Sequence, residues 1–193
     1  FFDWNPKHFY KKIFLKNDEL NHFLSNICND EWNILQDAGR PIKDAEDILI
    51  KQHPAYEKEI KLYYKNHRKM IKSTYLESIN LLYELKFLGY ENYVLSNWSA
   101  ETFIGIIKEY PFLNNFNDMI ISGNEKICKP NPLIYKLAIK RFSLNPAKTI
   151  FIDDRIENIN SAKKLNFETI HLTNPNLIKE LVLKKLKELN KKY

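Results

Sequence analysis

The stretch Thr149-Ile150-Phe151-Ile152-Asp153-Asp154-Arg155-Ile156-Glu157-Asn158 constrains this chain more than any other. Its first four residues are β-branched or aromatic, the pattern of a strand buried on both faces. The run stops at two adjacent carboxylates, and Asn158 comes about one helical turn later. Two like charges at the tip of a buried strand are costly unless a cation compensates them. A hard divalent ion such as Mg²⁺ is the usual partner of clustered carboxylate and amide oxygens. The plainer reading gives one Asp to capping the helix that starts near Arg155. A cap uses one acid; the second is surplus.

The rest of the chain divides in two. From residue 5 to about 72 the rhythm is helical. Asn5-Pro6 is an N-cap followed by proline at the first helical position, and Phe9, Tyr10, Ile13 and Phe14 recur at helical spacing. Leu20, Phe23, Leu24 and Ile27 predict a helix over 18–28, followed by a shorter one over 30–36 and by helices over 41–52 and 54–70. Residues 37–41, Asp-Ala-Gly-Arg-Pro, form a turn cluster, and no strand is expected in this part. From Thr74-Tyr75-Leu76-Glu77, which matches a capping box, helix and strand alternate. Strands are expected at 93–95, 119–121, 150–152 and 169–172, each leading to a helix. Such alternation predicts an α/β unit over 73–193, a parallel sheet with helices on both faces, beside a helical part over 5–72. Ligands in such sheets sit beyond the carboxyl ends of the strands.

The residues just past each strand therefore carry the functional signal. The first strand ends in Ser96-Asn97, a hydroxyl and an amide that could hold an anionic oxygen or make a plain turn. After the second comes Lys129-Pro130, just ahead of a helix N-terminus where a cation is disfavoured unless an anion is near. Taken alone it is a surface lysine. The third strand ends in Asp153-Asp154. A hydroxyl, an ammonium and a carboxylate pair in series are far more specific than any one of them.

Composition narrows the classes. There is no run of 18 apolar residues to span a membrane, and the opening Phe1-Phe2-Asp3-Trp4 carries no signal-peptide pattern. Cys28 and Cys128 lack metal-ligand spacing and read as free thiols of a cytoplasmic protein. The net charge is +6, but only Arg40, Arg68, Arg141 and Arg155 are arginines. The lysines at 179, 184, 185, 187, 191 and 192 read as a solvated helix face, and no nucleic-acid partner is expected. The histidines form no ligand spacing. A monomer or a homodimer is compatible with all of this.

Leu95-Ser96-Asn97, then Lys129-Pro130, then Phe151-Ile152-Asp153-Asp154 with Asn158, resemble the second, third and fourth motifs of the haloacid dehalogenase-like (HAD) hydrolase superfamily. The helical part resembles the cap of the subgroup in which the cap comes after the first motif. The resemblance implies a Rossmann-like core over 73–193 with a helical cap over 5–72, and Mg²⁺-dependent phosphoryl transfer through an aspartyl-phosphate, on a small phosphorylated metabolite. It implies that Ser96 and Asn97 bind the phosphoryl group and that Lys129 and Asp153 are catalytic, Lys129 also contacting substrate. Asp154 would ligate the metal, supported by Asp153 and Asn158. The first motif, with the nucleophilic Asp, is expected ahead of Phe1, leaving Asp3 as a hinge residue. A 2-haloacid dehalogenase is the alternative within the family; Arg40 could then extract halide, but adjacent acids would repel a haloacid carboxylate. In a phosphatase, Arg40 is a cap contact to substrate, and Trp98 a candidate for lining the pocket. A non-catalytic binding module is the alternative outside enzymes.

Overall fold

The computed structural model describes residues 1–190. An antiparallel ribbon of β1 (Phe2–Trp4) and β2 (Ile71–Thr74) separates two bodies of structure. Between its strands run α1 (Pro6–Tyr10), α2 (Asn17–His22), α3 (Asp30–Asp37), α4 (Ile42–Gln52) and α5 (Glu57–Lys65). After β2 come α6 (Leu76–Phe87), β3 (Tyr93–Ser96), α7 (Ala100–Glu109), β4 (Asp118–Ile121), α8 (Ser122–Glu125), α9 (Pro132–Arg141), β5 (Ile150–Asp153), α10 (Ile156–Lys163), β6 (Glu168–His171) and α11 (Ile178–Asn190).

The helices α1–α5 close around one buried cluster that includes Tyr10, Phe23, Trp32, Ile60 and Tyr63. The expected N-cap forms: Asn5 Oδ1 accepts from Lys7 N–H at 2.9 Å, with Pro6 at the first helical position. The buried amide of Gln36 is paired. Gln36 Nε2 donates to the Trp32 carbonyl at 2.8 Å and to the Tyr64 hydroxyl at 3.0 Å, which removes the penalty of burying its amide.

The remaining elements are of α/β type. β3 pairs with β4 and β5 with β6, both in parallel register, as alternating strand and helix require. One face is packed by α9 and α10 through Ile134, Tyr135, Ala138 and Ala162, the other by α6 and α11 through Leu81, Ile178 and Val182.

Four local readings are corrected. The 74–77 capping box does not form: Thr74 is the last residue of β2, paired with Phe2, and the helix starts at Leu76 with no side-chain cap. Thr74 is thus committed to extended backbone one residue too early. The β1–β2 ribbon was not expected, and the 72/73 boundary falls inside β2. The helix expected over 18–28 changes to a π-helical stretch at Phe23–Ile27. Lastly, the strands do not make one continuous sheet: among the described residues, no hydrogen-bonded ladder joins β3 to β5. Between these facing edges lies a cavity of about 1040 Å³, lined by Leu81, Leu85, Leu95, Ile150, Ile152 and Val182 among others. Lys191 and Lys192, placed by sequence on the solvated face, lie outside the described residues. Lys179 and Lys185 of that face pair with Glu84 and Glu168.

Candidate active site

Three loops meet at the carboxyl ends of the strands, and Lys129 joins them. Its backbone N–H donates to Asn97 Oδ1 at 2.8 Å, and its carbonyl accepts from Asn97 Nδ2 at 2.9 Å. The amide that ends β3 therefore clasps the peptide of Lys129. The Lys129 ammonium reaches the other way, to Asp153 Oδ2 at 2.7 Å and over the Phe151 ring at 5.6 Å. Both side chains of this ion pair are at most one-tenth exposed. A charge pair this deeply buried persists only with good geometry and with its other oxygens satisfied. Asp153 meets the second condition: Oδ1 accepts from Arg155 N–H and from Asn158 Nδ2, each at 2.9 Å. Asn158 is in turn fixed by α10, whose Asn158 carbonyl accepts from the Tyr135 hydroxyl at 3.0 Å.

Asp154 differs from its neighbour. It is exposed, and its carbonyl accepts from His171 Nε2 at 2.9 Å, while no hydrogen bond to its carboxylate is formed among the described residues. Asn158 Oδ1 is buried with no hydrogen-bond partner. An available carboxylate and an orphaned amide oxygen on the same turn are hard donors of the kind Mg²⁺ takes. Among the described residues no group of three or more His, Cys, Asp or Glu side chains gathers to hold a metal. The residues present fit Mg²⁺, with Asp154 as the free acid and Asp153 already engaged by Lys129.

The other expected residues take varied places. Ser96 is half-buried at the end of β3, and its hydroxyl lies 3.5 Å from the Asn97 carbonyl, too long for a strong bond. Trp98 packs against Phe2, His67 and Phe103 and donates to Thr102 Oγ1 at 2.9 Å. Arg40 is turned into the helices, with Nε donating to Gln36 Oε1 at 2.7 Å and Nη2 to the Trp32 carbonyl at 3.4 Å. Asp3 accepts from or shares a proton with His8 Nε2 at 3.1 Å within the β1–α1 connection.

Segment α3 and the turn after it lie against the loops that leave β3, β4 and β5. Ser122 Oγ donates to the Asp37 carbonyl at 2.6 Å, Ile42 N–H to Glu101 at 2.8 Å, and Arg155 faces Asp30 at 3.7 Å. Gly39 sits at φ +91°, and a Cβ there would meet the Gly123 carbonyl at 2.9 Å. Only glycine permits both the left-handed backbone and that approach. Asp37 is a half-buried acid that the motifs do not contain. Burial pushes its carboxyl up to about 7, against the lowering effects of a Ser99 N–H bond and of Arg155. Burial likewise pushes the neighbouring Cys128 thiol up to about 11, so it is no ready nucleophile. The clue available in sequence was the turn cluster 37–41; its acid and arginine were visible, their partners were not.

An ammonium, an amide and acids thus gather past the strand ends of a parallel α/β core. The chain belongs to the haloacid dehalogenase-like hydrolases, whose family model matches residues 8–172. Among similar proteins, a sesquiterpene phosphatase of Aspergillus oryzae is 31% identical over 49% of this chain and 48% of its own length. An (S)-2-haloacid dehalogenase of Burkholderia cepacia is 28% identical over 52% of this chain and 43% of its own. The chain thus spans less than half the length of either curated relative. A solved HAD family enzyme of Bacteroides thetaiotaomicron, in complex with magnesium and inorganic phosphate, superposes with a TM-score of 0.64 at 21% identity. That match covers 88% of this chain and 87% of the other, and at such identity it speaks for the fold alone.

Proposed function

We propose that this chain serves a Mg²⁺-dependent phosphatase for small phosphorylated metabolites, working through an aspartyl-phosphate. The observation that carries this is the link Asn97–Lys129–Asp153. It presents a fixed ammonium at the strand ends, beside an uncommitted carboxylate on Asp154. A phosphoryl group in transfer spreads negative charge over its equatorial oxygens, and pre-set cations stabilise it without reorganisation. Lys129, oriented by Asp153 and Asn97, offers its remaining N–H groups to those oxygens. The Ser96 hydroxyl is a second donor. A bound Mg²⁺ would supply Lewis-acid neutralisation of the same charge, held by Asp154 with Asp153 and Asn158 in support. Helices α1–α5 act as the cap, the unit expected over 5–72, and α3 roofs the strand ends. Arg40 would reach a substrate only through the donors not spent on Gln36 and Trp32.

The dehalogenase relative keeps a second reading open, since the two activities share this fold. Adjacent carboxylates at 153 and 154 weigh against it, because a haloacid carboxylate would approach a free anion. The deciding assay offers the protein p-nitrophenyl phosphate and 2-chloropropionate. The expected result is Mg²⁺-dependent release of nitrophenol, abolished by Asp154→Ala and by chelator, with no halide release. Hydrolysis that persists in chelator would overturn the metal-dependent reading. No turnover of either substrate would favour a binding module.

A further inference from the structure

Helix α6 is apolar on two opposite sides. Inward, Leu81 and Leu82 are buried and Leu85 packs against the cluster shared with α11. Outward, Phe87 is 91% exposed, Leu76 70% and Tyr83 46%. A surface helix ordinarily carries polar residues opposite its core stripe. Here Leu76, Asn80, Tyr83 and Phe87 follow one another by four, three and four residues. That spacing sets them in one row along the outer face, as the a and d positions of a coiled-coil seam are set.

Polar groups bound the row on both flanks. On one, Glu84 pairs with Lys179 at 2.7 Å, and the exposed Leu177 lies on the single turn Pro175–Leu177 that packs beside α6. On the other, Lys86 Nζ lies 3.5 Å from Asn115 Oδ1. An apolar strip inside a polar margin has the make-up of an interface core and its rim. Leu76, Tyr83, Phe87, Leu88 and Leu177 together show on the order of 500 Å² of side chain, taking roughly 150–250 Å² for a whole aromatic. That is near the upper end of the roughly 300–600 Å² found for the largest patch on a monomer. With its polar margin the face approaches the roughly 800 Å² that each partner gives to a stable complex.

The row is its own complement. A two-fold axis crossing α6 between Asn80 and Tyr83 sets Leu76 against Phe87 of a second copy, and Asn80 against its Tyr83. The Asn80 amide and the Tyr83 hydroxyl have no hydrogen-bond partner among the described residues, and in this arrangement each serves the other. One polar contact within an apolar seam fixes its register. The same rotation brings Glu77, which forms no ion pair of its own among the described residues, toward the Glu84–Lys179 pair of the second copy. Lys179 then supplies the opposite charge.

We propose that the outer face of α6 is the interface of a two-fold symmetric homodimer, its two α6 helices packed antiparallel along Leu76, Asn80, Tyr83 and Phe87. None of these residues belongs to the candidate active site, so the interface is independent of the phosphatase reading.

Analytical ultracentrifugation at micromolar concentrations tests it, with twice the chain mass expected. Phe87→Asp and Tyr83→Asp should each weaken the dimer roughly a hundred-fold or more, as loss of a central aromatic anchor does. Circular dichroism should show both variants folded, because the substituted side chains face solvent in the single chain. A protein that stays monomeric throughout that range would overturn the proposal, as would a dimer that both variants leave intact. Oxidative cross-linking reads the orientation. A mixture of Leu76→Cys and Phe87→Cys chains should form a disulfide between the two variants. Either variant alone should not, because like positions in an antiparallel pair lie roughly 16 Å apart, at about 1.5 Å per residue over eleven residues. Cα atoms more than about 7 Å apart are not bridged. Cross-linking within one variant as readily as between the two would overturn the antiparallel pairing.

Discussion

Lys129 Nζ lies 2.7 Å from Asp153 Oδ2, with both side chains nearly sealed from water. Removing one partner of such a pair leaves an uncompensated buried charge, which costs about 3–5 kcal/mol. Lys129→Met should therefore destabilise the fold as well as abolish turnover. The double variant Lys129→Met with Asp153→Asn should recover a large part of the loss, because the orphaned charge goes with it. Urea unfolding of the two variants checks this; equal destabilisation by both would show that the pair is not the source.

Asn97 spends its amide on the backbone of Lys129, at 2.8 and 2.9 Å. Asn97→Ala removes both bonds and leaves a half-buried peptide to find water. The expected loss is about 2 kcal/mol. Activity should fall further than stability alone explains, since the ammonium loses its anchor on the β3 side. Asn97→Asp, which keeps the acceptor for the Lys129 N–H and loses the donor, should fall between Ala and wild type in thermal unfolding.

The contrast between these residues explains how much was legible in the sequence. Ser96, Lys129 and Asp153-Asp154 stood out because each ends a strand or comes after one, and strand order is written in local periodicity. The same periodicity gave the helix order, and the α/β class with it. The Asn97–Lys129 clasp was not legible, because it joins residues that only the tertiary fold brings together. Arg40 looked like a free cation beside a turn, yet Gln36 and Trp32 hold its guanidinium. The β1–β2 ribbon escaped because strands of three and four residues, with Lys72 and Ser73 facing solvent, carry no alternation to read. The gap between β3 and β5 lies deeper still. Nothing in either strand's own residues says which edge is paired.

Asp154 and Asp153 should separate cleanly under substitution. Asp154 is exposed with an unbonded carboxylate, so Asp154→Ala should leave the unfolding midpoint within the roughly ±0.5 kcal/mol typical of surface changes. The heat of Mg²⁺ binding, read by titration calorimetry, should disappear with it. Asp153→Ala should do the reverse in the first respect, unfolding readily because Lys129 loses its counter-charge. Retention of the Mg²⁺ heat by Asp154→Ala would move the metal site elsewhere.

The pH dependence of stability should carry two opposing contributions. His67 is buried between Trp4, Tyr64 and Trp98, and burial holds it down to about 4. In the unfolded chain it takes up a proton near 6.5. Between these values the unfolded state binds more protons, so this contribution to stability falls as pH drops, by roughly 3 kcal/mol over the whole window. Asp37 has the opposite sign. Its native carboxyl stays protonated up to about 7, while the unfolded one ionises near 3.8, so its contribution falls as pH rises through that range. From about 4 to 6.5 the two slopes oppose each other. His67→Phe, which keeps the aromatic packing and removes the titrating ring, should therefore leave a protein that gains stability relative to wild type on acidification. Asp37→Asn should lose stability relative to wild type over the same interval. Denaturant unfolding at several pH values gives both differences directly, and two difference curves that run flat would show that neither group is held as its surroundings require.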